Sequence, residues 1–360
     1  MIRFSEMVLP GHPDKFCDQV ADAIVARAAA LDAEAYCQVE VGAWCDQLWV
    51  SGGFTLPDGA SLPLGPVVAE VAARVGCRGA DGGPKAFTVA DTACRLRQDP
   101  RDWTRKVNDQ SICVGWAGYD ASTRYLPPEH FLAHSFREAL VAAIRGGALR
   151  GQGPDGKLLV VMAEEGPRWR LERVLATVEQ DGTLQGAADF MDFSSRVAAT
   201  LRGAYEAARA LDRRWTADWE TVRCLVNPNG PLVAAGTDCD NGQTGRKLAM
   251  DYYGPRVGQG GGALSGKHLS HIDRIGAYTA RAAAVAAVRS GAVSCRVTAA
   301  WAPNIPEALE VSFETEGRGE AWPRGAFNHD AMMESFGNIA IDPALAEGTH
   351  FWDRAARWNK

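Results

Sequence analysis

Gly11-His12-Pro13-Asp14-Lys15 sets an imidazole, a carboxylate and an ammonium on one turn, and Gly260-Gly-Gly-Ala-Leu-Ser-Gly-Lys267 ends a glycine-rich loop in a lysine. Both arrangements suit phosphate. Glycine backbones approach an anion closely, a helix N-terminus offers free N–H groups, and His12, Lys15 and Lys267 add donors or charge. Asp14 is a hard oxygen ligand of the kind Mg²⁺ takes, and Asp273, seven residues after Gly266, is a second. Asp240-Asn-Gly-Gln-Thr-Gly-Arg246-Lys247 adds an acid and two adjacent cations. Read alone, the first pentapeptide is equally a capped helix start, with Pro13 fixing the turn.

Three further motifs need their context. Gly261-x4-Gly266-Lys267 has P-loop spacing, but His268 stands where Ser or Thr should hold Mg²⁺, and the preceding residues 253–260 are broken by glycine and proline instead of forming a strand. A P-loop is therefore not expected. Gly151-x-Gly153-x-x-Gly156 has dinucleotide-binding spacing, yet it follows a helical pattern and precedes a strand, the reverse of what that motif requires. Asn108-Asp109-Gln110 precedes a β-like run and reads, by itself, as a turn aspartate starting a strand.

The elements that must position these residues follow from periodicity. Apolar residues at Cys17, Val20, Ala21, Ile24, Val25 and Ala28 predict a helix over 14–32, followed by a hairpin of strands 36–44 and 47–55. Helices are expected over 64–75, 129–144, 193–211 and 272–289. Each precedes one or two strands, at 86–91, at 157–163 and 169–179, at 222–226, and at 294–301 and 308–315. Joints are expected at 98–109 and 213–220. This recurrence points to an α+β protein of several similar sheet-plus-helix units.

Composition bounds the function class. At 360 residues the chain exceeds one typical core, so two or three subdomains are expected. Its 46% hydrophobic and 23% charged residues are those of a soluble globular protein. The first residues carry no basic segment followed by an apolar one, and no apolar run approaches the roughly 18 residues of a membrane span, so a cytoplasmic protein is expected. Nine scattered cysteines without a Cys-x-x-Cys pair argue against a disulfide framework and a structural zinc. A net charge of −6 argues against a nucleic-acid surface. Between Arg246 and Arg281, however, six Lys/Arg face two acids, a local excess of +4 that suggests a polyanion site.

The continuation Phe16-Cys17-Asp18-Gln19-Val20-Ala21-Asp22-Ala23, together with the two loops above, resembles the S-adenosylmethionine synthetases (methionine adenosyltransferases), strongly over 4–24 and 224–281. That resemblance implies three similar sheet-plus-helix units with pseudo-threefold symmetry, expected over 1–98, 107–218 and 222–360. It implies a homodimer or dimer of dimers with active sites shared between subunits. ATP would meet His12, Lys15, Asp155, Lys157, Asp240, Arg246, Lys247, Ala263 and Lys267. Two Mg²⁺ per site would use Asp14 and Asp273, and K⁺ would use Glu40. Attack at the ribose C5′ by a thioether needs no general base, so the catalytic work falls to groups that stabilise the departing triphosphate, namely His12, Lys15, Lys157, Lys247 and Lys267. Asp109 would stand beside the nascent sulfonium.

The acceptor, by default methionine, would meet Phe54, Gln98, Asp109 and His271, and here the chain departs from the family. Phe54 replaces the glutamate that meets the methionine ammonium, and His271 replaces the lysine near its carboxylate. Pro10 and Leu232 replace a glutamate and an aromatic residue, and the part after Thr315 is shorter and hardly recognisable. Another nucleophile (a different thioether, water or a ribose hydroxyl of ATP) and a non-catalytic nucleotide-binding partner of an active synthetase are the alternatives.

Overall fold

The apolar periodicities become helices laid on sheets. The computed structural model describes residues 1–79, 82–96, 101–180, 182 and 186–360. The N-terminal elements are β1 (Ile2–Val8), α1 (Pro13–Leu31), β2 (Cys37–Trp44), β3 (Gln47–Phe54), α2 (Leu64–Val75), β4 (Thr88–Asp91), β5 (Cys94–Arg95) and α3 (Arg101–Thr104). There follow β6 (Ser111–Gly118), α4 (Pro128–Arg145), β7 (Gln152–Glu165), β8 (Arg168–Gln180), α5 (Ala187–Leu211) and β9 (Arg223–Val226). The chain continues through β10 (Gly242–Gln243), α6 (Leu248–Asp251), α7 (Ile272–Arg289), β11 (Ala292–Trp301), β12 (Glu310–Gly317) and α8 (His329–Phe336). Among the described residues no helix is long and apolar enough to cross a membrane.

The class is α+β, and the described residues form three sheets, in the orders β10-β2-β3-β4 with β5 also on β3, β1-β7-β8-β9, and β12-β11-β6. Each sheet has its own core. Phe16, Ile24, Val41, Leu48 and Val68 fill the first, Leu132, Phe136, Leu158, Val174 and Leu201 the second, and Trp116, Ile275, Val285, Val297 and Trp301 the third. The sheets do not follow the spans 1–98, 107–218 and 222–360 strand for strand. The first span lends β1 to β7, the second lends β6 to β11, and the third lends β9 to β8 and β10 to β2. This exchange ties residues up to 201 positions apart, Gly42 and Gln243, into one frame.

Two expectations change. Strand β7 starts at Gln152, five residues earlier than expected, so it takes in Gly153, Asp155 and Gly156. The +4 excess is not one surface. Arg256 is held by Glu129 and Glu164, Arg274 by Asp22, and buried Arg281 by the carbonyls of Trp116, Arg124 and Tyr125. Half of the six cations therefore serve the interior, where a guanidinium must be paired or hydrogen-bonded.

Candidate active site

The start of α1 is pinned to the start of β7, where Gly11 N–H donates to the Pro154 carbonyl at 2.9 Å and Leu9 N–H to Gly156 at 2.9 Å. His12 is the N-cap of α1, its Nδ1 accepting the Asp14 N–H at 3.2 Å. Burial, with Lys247 beside it, pushes the His12 pKa down to about 4. The imidazole is therefore neutral, and with Nδ1 accepting, its proton sits on Nε2. In this state His12 can donate a hydrogen bond from Nε2 and carries no charge.

Asp14 is buried under two cations. Its Oδ1 accepts the Gln243 N–H at 2.8 Å and lies 3.7 Å from Arg246 Nε, while Oδ2 is paired with Lys247 Nζ. Lys157 and Asp240 also act on the His12 charge. The structure thus gathers His12, Asp14, Lys157, Asp240, Arg246 and Lys247 around one helix start. Asp155, on β7, accepts the Gly236 N–H at 2.8 Å and so fixes the turn that leads to Asp240.

A second centre repeats the first. His271 is the N-cap of α7, and its Nδ1 accepts the Asp273 N–H at 3.2 Å. Asp273 is paired with Lys267 Nζ at 2.5 Å and accepts a hydrogen bond from Ser111 Oγ. Its cleft, about 490 Å³, is lined by Gln110, Ser111, Ile112, Gly260 to Gly262 and Trp301. A Cβ on Gly260 would stand 1.6 Å from the Ile112 carbonyl oxygen, so only glycine brings this loop onto β6. The loop follows α6 and irregular chain, not a strand, so it is no P-loop. Asp109 is exposed at the start of β6, its Oδ1 accepting the Gln110 N–H at 2.8 Å. Ala263 lies against Gly245 of the first centre.

Lys15 departs from its expected place. Only 1% exposed, it is held by Asp18 at 2.8 Å and Asp251 at 2.5 Å. Burial works against its charge, but the two carboxylates outweigh it and raise the pKa. Its ammonium is thus engaged by two carboxylates in the interior. Asp18 and Asp22, not singled out from sequence, accept the N–H groups of Gly245 and Gly266. The available signal was three aspartates at i, i+4 and i+8 on an otherwise apolar helix face.

The acceptor positions carry little charge. Phe54 is fully buried in the first core with the Arg95 guanidinium 4.4 Å from its ring centroid, and Arg95 is itself held by Asp91. His271 is buried, and that burial, with His268 and Lys267 nearby, pushes its pKa down to about 2. Gln98 lies outside the described residues. Glu40 is exposed on β2 opposite Ser51. Among the described residues no three His, Cys, Asp or Glu converge on a metal position. Asp14 and Asp273 nonetheless fit Mg²⁺, which commonly takes one or two carboxylates and completes its shell with water and nucleotide oxygens.

Residues 1–90 match the family model of the S-adenosylmethionine synthetase N-terminal domain, and residues 234–335 that of the C-terminal domain. The chain is 30% identical over 334 residues to the S-adenosylmethionine synthase of Prochlorococcus marinus, covering 88% of this chain and 79% of that protein. Against the Nocardia farcinica S-adenosylmethionine synthase it is 32% identical over 362 residues, covering 94% and 82%. The chain belongs to the S-adenosylmethionine synthetase family. Its fold matches the unusual S-adenosylmethionine synthetase of Campylobacter jejuni with a TM-score of 0.85 at 22% identity, over all of this chain and 97% of that one. The family match reaches residue 335, past Thr315, where the resemblance was expected to fade. Both Asp–Lys centres fall within the matched segments.

Proposed function

We propose that the protein transfers the adenosyl group of ATP, bonded through ribose C5′, to a small acceptor, methionine by default, and releases the triphosphate either intact or hydrolysed to pyrophosphate and phosphate. The observation that carries this reading is the repeated centre in which a capping histidine orients an aspartate and a lysine at a helix start. His12 with Asp14 and Lys247, and His271 with Asp273 and Lys267, make two such centres. A triphosphate leaving group needs donors and cations fixed before the reaction, because pre-organised charge costs no reorganisation as the C5′–O bond breaks. Lys157, Arg246, Lys247 and Lys267 would supply the charge, and His12 Nε2–H a hydrogen bond. Asp155 and Asp240 would hold the ribose region beside Ala263, and Asp109 would face the sulfur. Mg²⁺, carried by Asp14 and Asp273, would neutralise phosphate oxygens when bound. A thioether nucleophile has no proton to lose, so these residues align and stabilise without a general base.

The site would be completed by a second copy of the chain. Phe4 on β1, Trp44 on β2 and Trp49 on β3 are each about half exposed, and a second copy would cover them. Light scattering at assay concentration should give a dimer or dimer of dimers; a fully active monomer would contradict it. Glu40 would give a K⁺ ion one carboxylate from this chain, so the assay includes K⁺.

Apolar Phe54 and neutral His271 favour a second reading in which the acceptor is not a free amino-acid zwitterion. Each lost charge-assisted hydrogen bond is worth about 1.5–3 kcal/mol, so losing two weakens methionine by roughly two to four orders of magnitude. Incubation with Mg-ATP and K⁺, with and without methionine, followed by mass analysis of nucleosides and polyphosphates, tests both readings. Triphosphate with an adenosyl product is expected. Micromolar methionine binding with efficient S-adenosylmethionine formation removes the second reading, and absence under every condition of an adenosyl product with triphosphate, or with the pyrophosphate and phosphate of its hydrolysis, removes the first.

A further inference from the structure

Helix α1 carries Asp14, Asp18 and Asp22 at four-residue spacing, a stripe about 12 Å long at 1.5 Å per residue. All three carboxylates are buried, and each accepts one backbone N–H from a loop more than 220 residues away. Asp14 Oδ1 takes the Gln243 N–H at 2.8 Å, Asp18 Oδ1 the Gly245 N–H at 2.9 Å, and Asp22 Oδ1 the Gly266 N–H at 2.8 Å. Gly245 immediately precedes Arg246 and Lys247, and Gly266 immediately precedes Lys267. The second loop is also seated against β2. The Val39 N–H donates to the Gly266 carbonyl at 2.8 Å, and a Cβ on Gly266 would stand 2.2 Å from the Val39 carbonyl oxygen.

We infer that Asp18 and Asp22 are positioning residues, and that the acidic stripe of α1 is a rail that sets both cation-bearing loops at a fixed separation along the bound polyphosphate. Their cost shows that the stripe is more than helix chemistry. A buried carboxylate must be paired, and here Lys15 and Arg274 are spent on that task, Lys15 lying 2.8 Å from Asp18 and Arg274 2.5 Å from Asp22. An apolar stripe would seat the helix without either cation, but it would leave the buried Gly266 N–H and the part-buried Gly245 N–H unpaired. An ionised acceptor also holds an N–H more strongly than a neutral one. Neither aspartate touches the ligand; each acts through the backbone beside a lysine. The chemical meaning of the rail rests on the adenosyl-transfer reading, while its geometry does not.

The test compares Asp18→Ala and Asp22→Ala with Asp18→Asn and Asp22→Asn in the full chain. It reads melting temperature, kcat and KM for Mg-ATP, and calorimetric affinity for inorganic triphosphate with Mg²⁺. Asparagine keeps an Oδ1 acceptor, so the Asn variants should retain most of the triphosphate affinity. The Ala variants should lose about 10²-fold in kcat with a smaller change in KM, as for a misplacement of about 1 Å, and should bind triphosphate more weakly. Should Asp18→Ala not fold, Lys15→Met with Asp18→Leu and Asp251→Asn removes the cation and both carboxylates it pairs, and still lacks the acceptor for Gly245, so the same loss is expected. A folded Ala variant with wild-type kcat and wild-type triphosphate affinity overturns the rail. A wild type that binds triphosphate but forms from Mg-ATP neither triphosphate nor the pyrophosphate and phosphate of its hydrolysis overturns the adenosyl-transfer reading and leaves the rail to be decided by binding. A wild type that binds no triphosphate overturns both.

Discussion

At Asp14 and Asp273 the same local chemistry occurs twice. A histidine N-cap accepts the aspartate N–H, so the carboxylate projects from the first helical turn towards a lysine brought in by a glycine-containing loop. Removing either half of such a pair should lower triphosphate release without unfolding the chain. Lys267→Met and Asp14→Asn are each expected to cost about 10²–10³ in rate, measured by triphosphate formation, with melting close to wild type. Near-normal turnover in both would refute the assignment. Lys15→Met should behave in the opposite way, losing about 3–5 kcal/mol of stability in denaturant titration because it strands two buried carboxylates. The two lysine outcomes separate a residue that serves the site from one that serves the core. Residue types in the first motif were legible in the sequence, but the direction of Lys15 was not. Successive helical residues point about 100° apart, so neighbours of Asp14 need not share its surface, and only the fold says which faces inward.

At the scale of elements, helices α2 and α7 match their expected bounds because strong apolar periodicity coincides with good end signals, Gly76 in the left-handed region after α2 and Ser290 after α7. The strand exchange was not legible. Pairing of β1 with β7, β6 with β11 and β10 with β2 is set by long-range packing that no local window contains. The loops are where that exchange meets the site, since Gly266 sits at φ +79° with its carbonyl bonded to β2. Gly266→Ala is therefore expected to push Lys267 out of place and lower kcat by about 10²-fold with a smaller effect on melting. An alanine variant with wild-type kcat would show that the loop adapts. The C-terminal segment, divergent in sequence, closes the third core through shape. Trp358 stacks on Tyr278 with ring centroids 3.7 Å apart, and Trp352 stacks on His134 at 4.8 Å beneath the Arg124 guanidinium.

Across the whole molecule, buried histidines link stability to pH. His130, His134 and His350 have pKa values lowered by burial, His130 to about 4 and the other two well below the usual value. Below pH 6.5 the unfolded chain binds protons that the folded chain refuses, so the stability these residues contribute is whole above pH 6.5 and falls as pH drops. Each costs about 1.4 kcal/mol per pH unit in that window. Asp251, pushed up to about 6 by burial against the pull of Lys15, takes a proton in the folded state and offsets part of the loss below pH 6. His134→Gln should make the decline shallower by about one proton between pH 6.5 and 5, and an unchanged slope would contradict the assignment. The function itself turns on which bond of ATP is broken. ATP carrying ¹⁸O at the bridge between C5′ and the α-phosphorus, incubated with the protein, Mg²⁺, K⁺ and methionine, answers that by mass spectrometry. Displacement at C5′ sends the label out in triphosphate, or in the pyrophosphate and phosphate of its hydrolysis, and leaves an unlabelled adenosyl product. Label retained on the ribose, with ADP or AMP as the nucleotide product, would contradict adenosyl transfer.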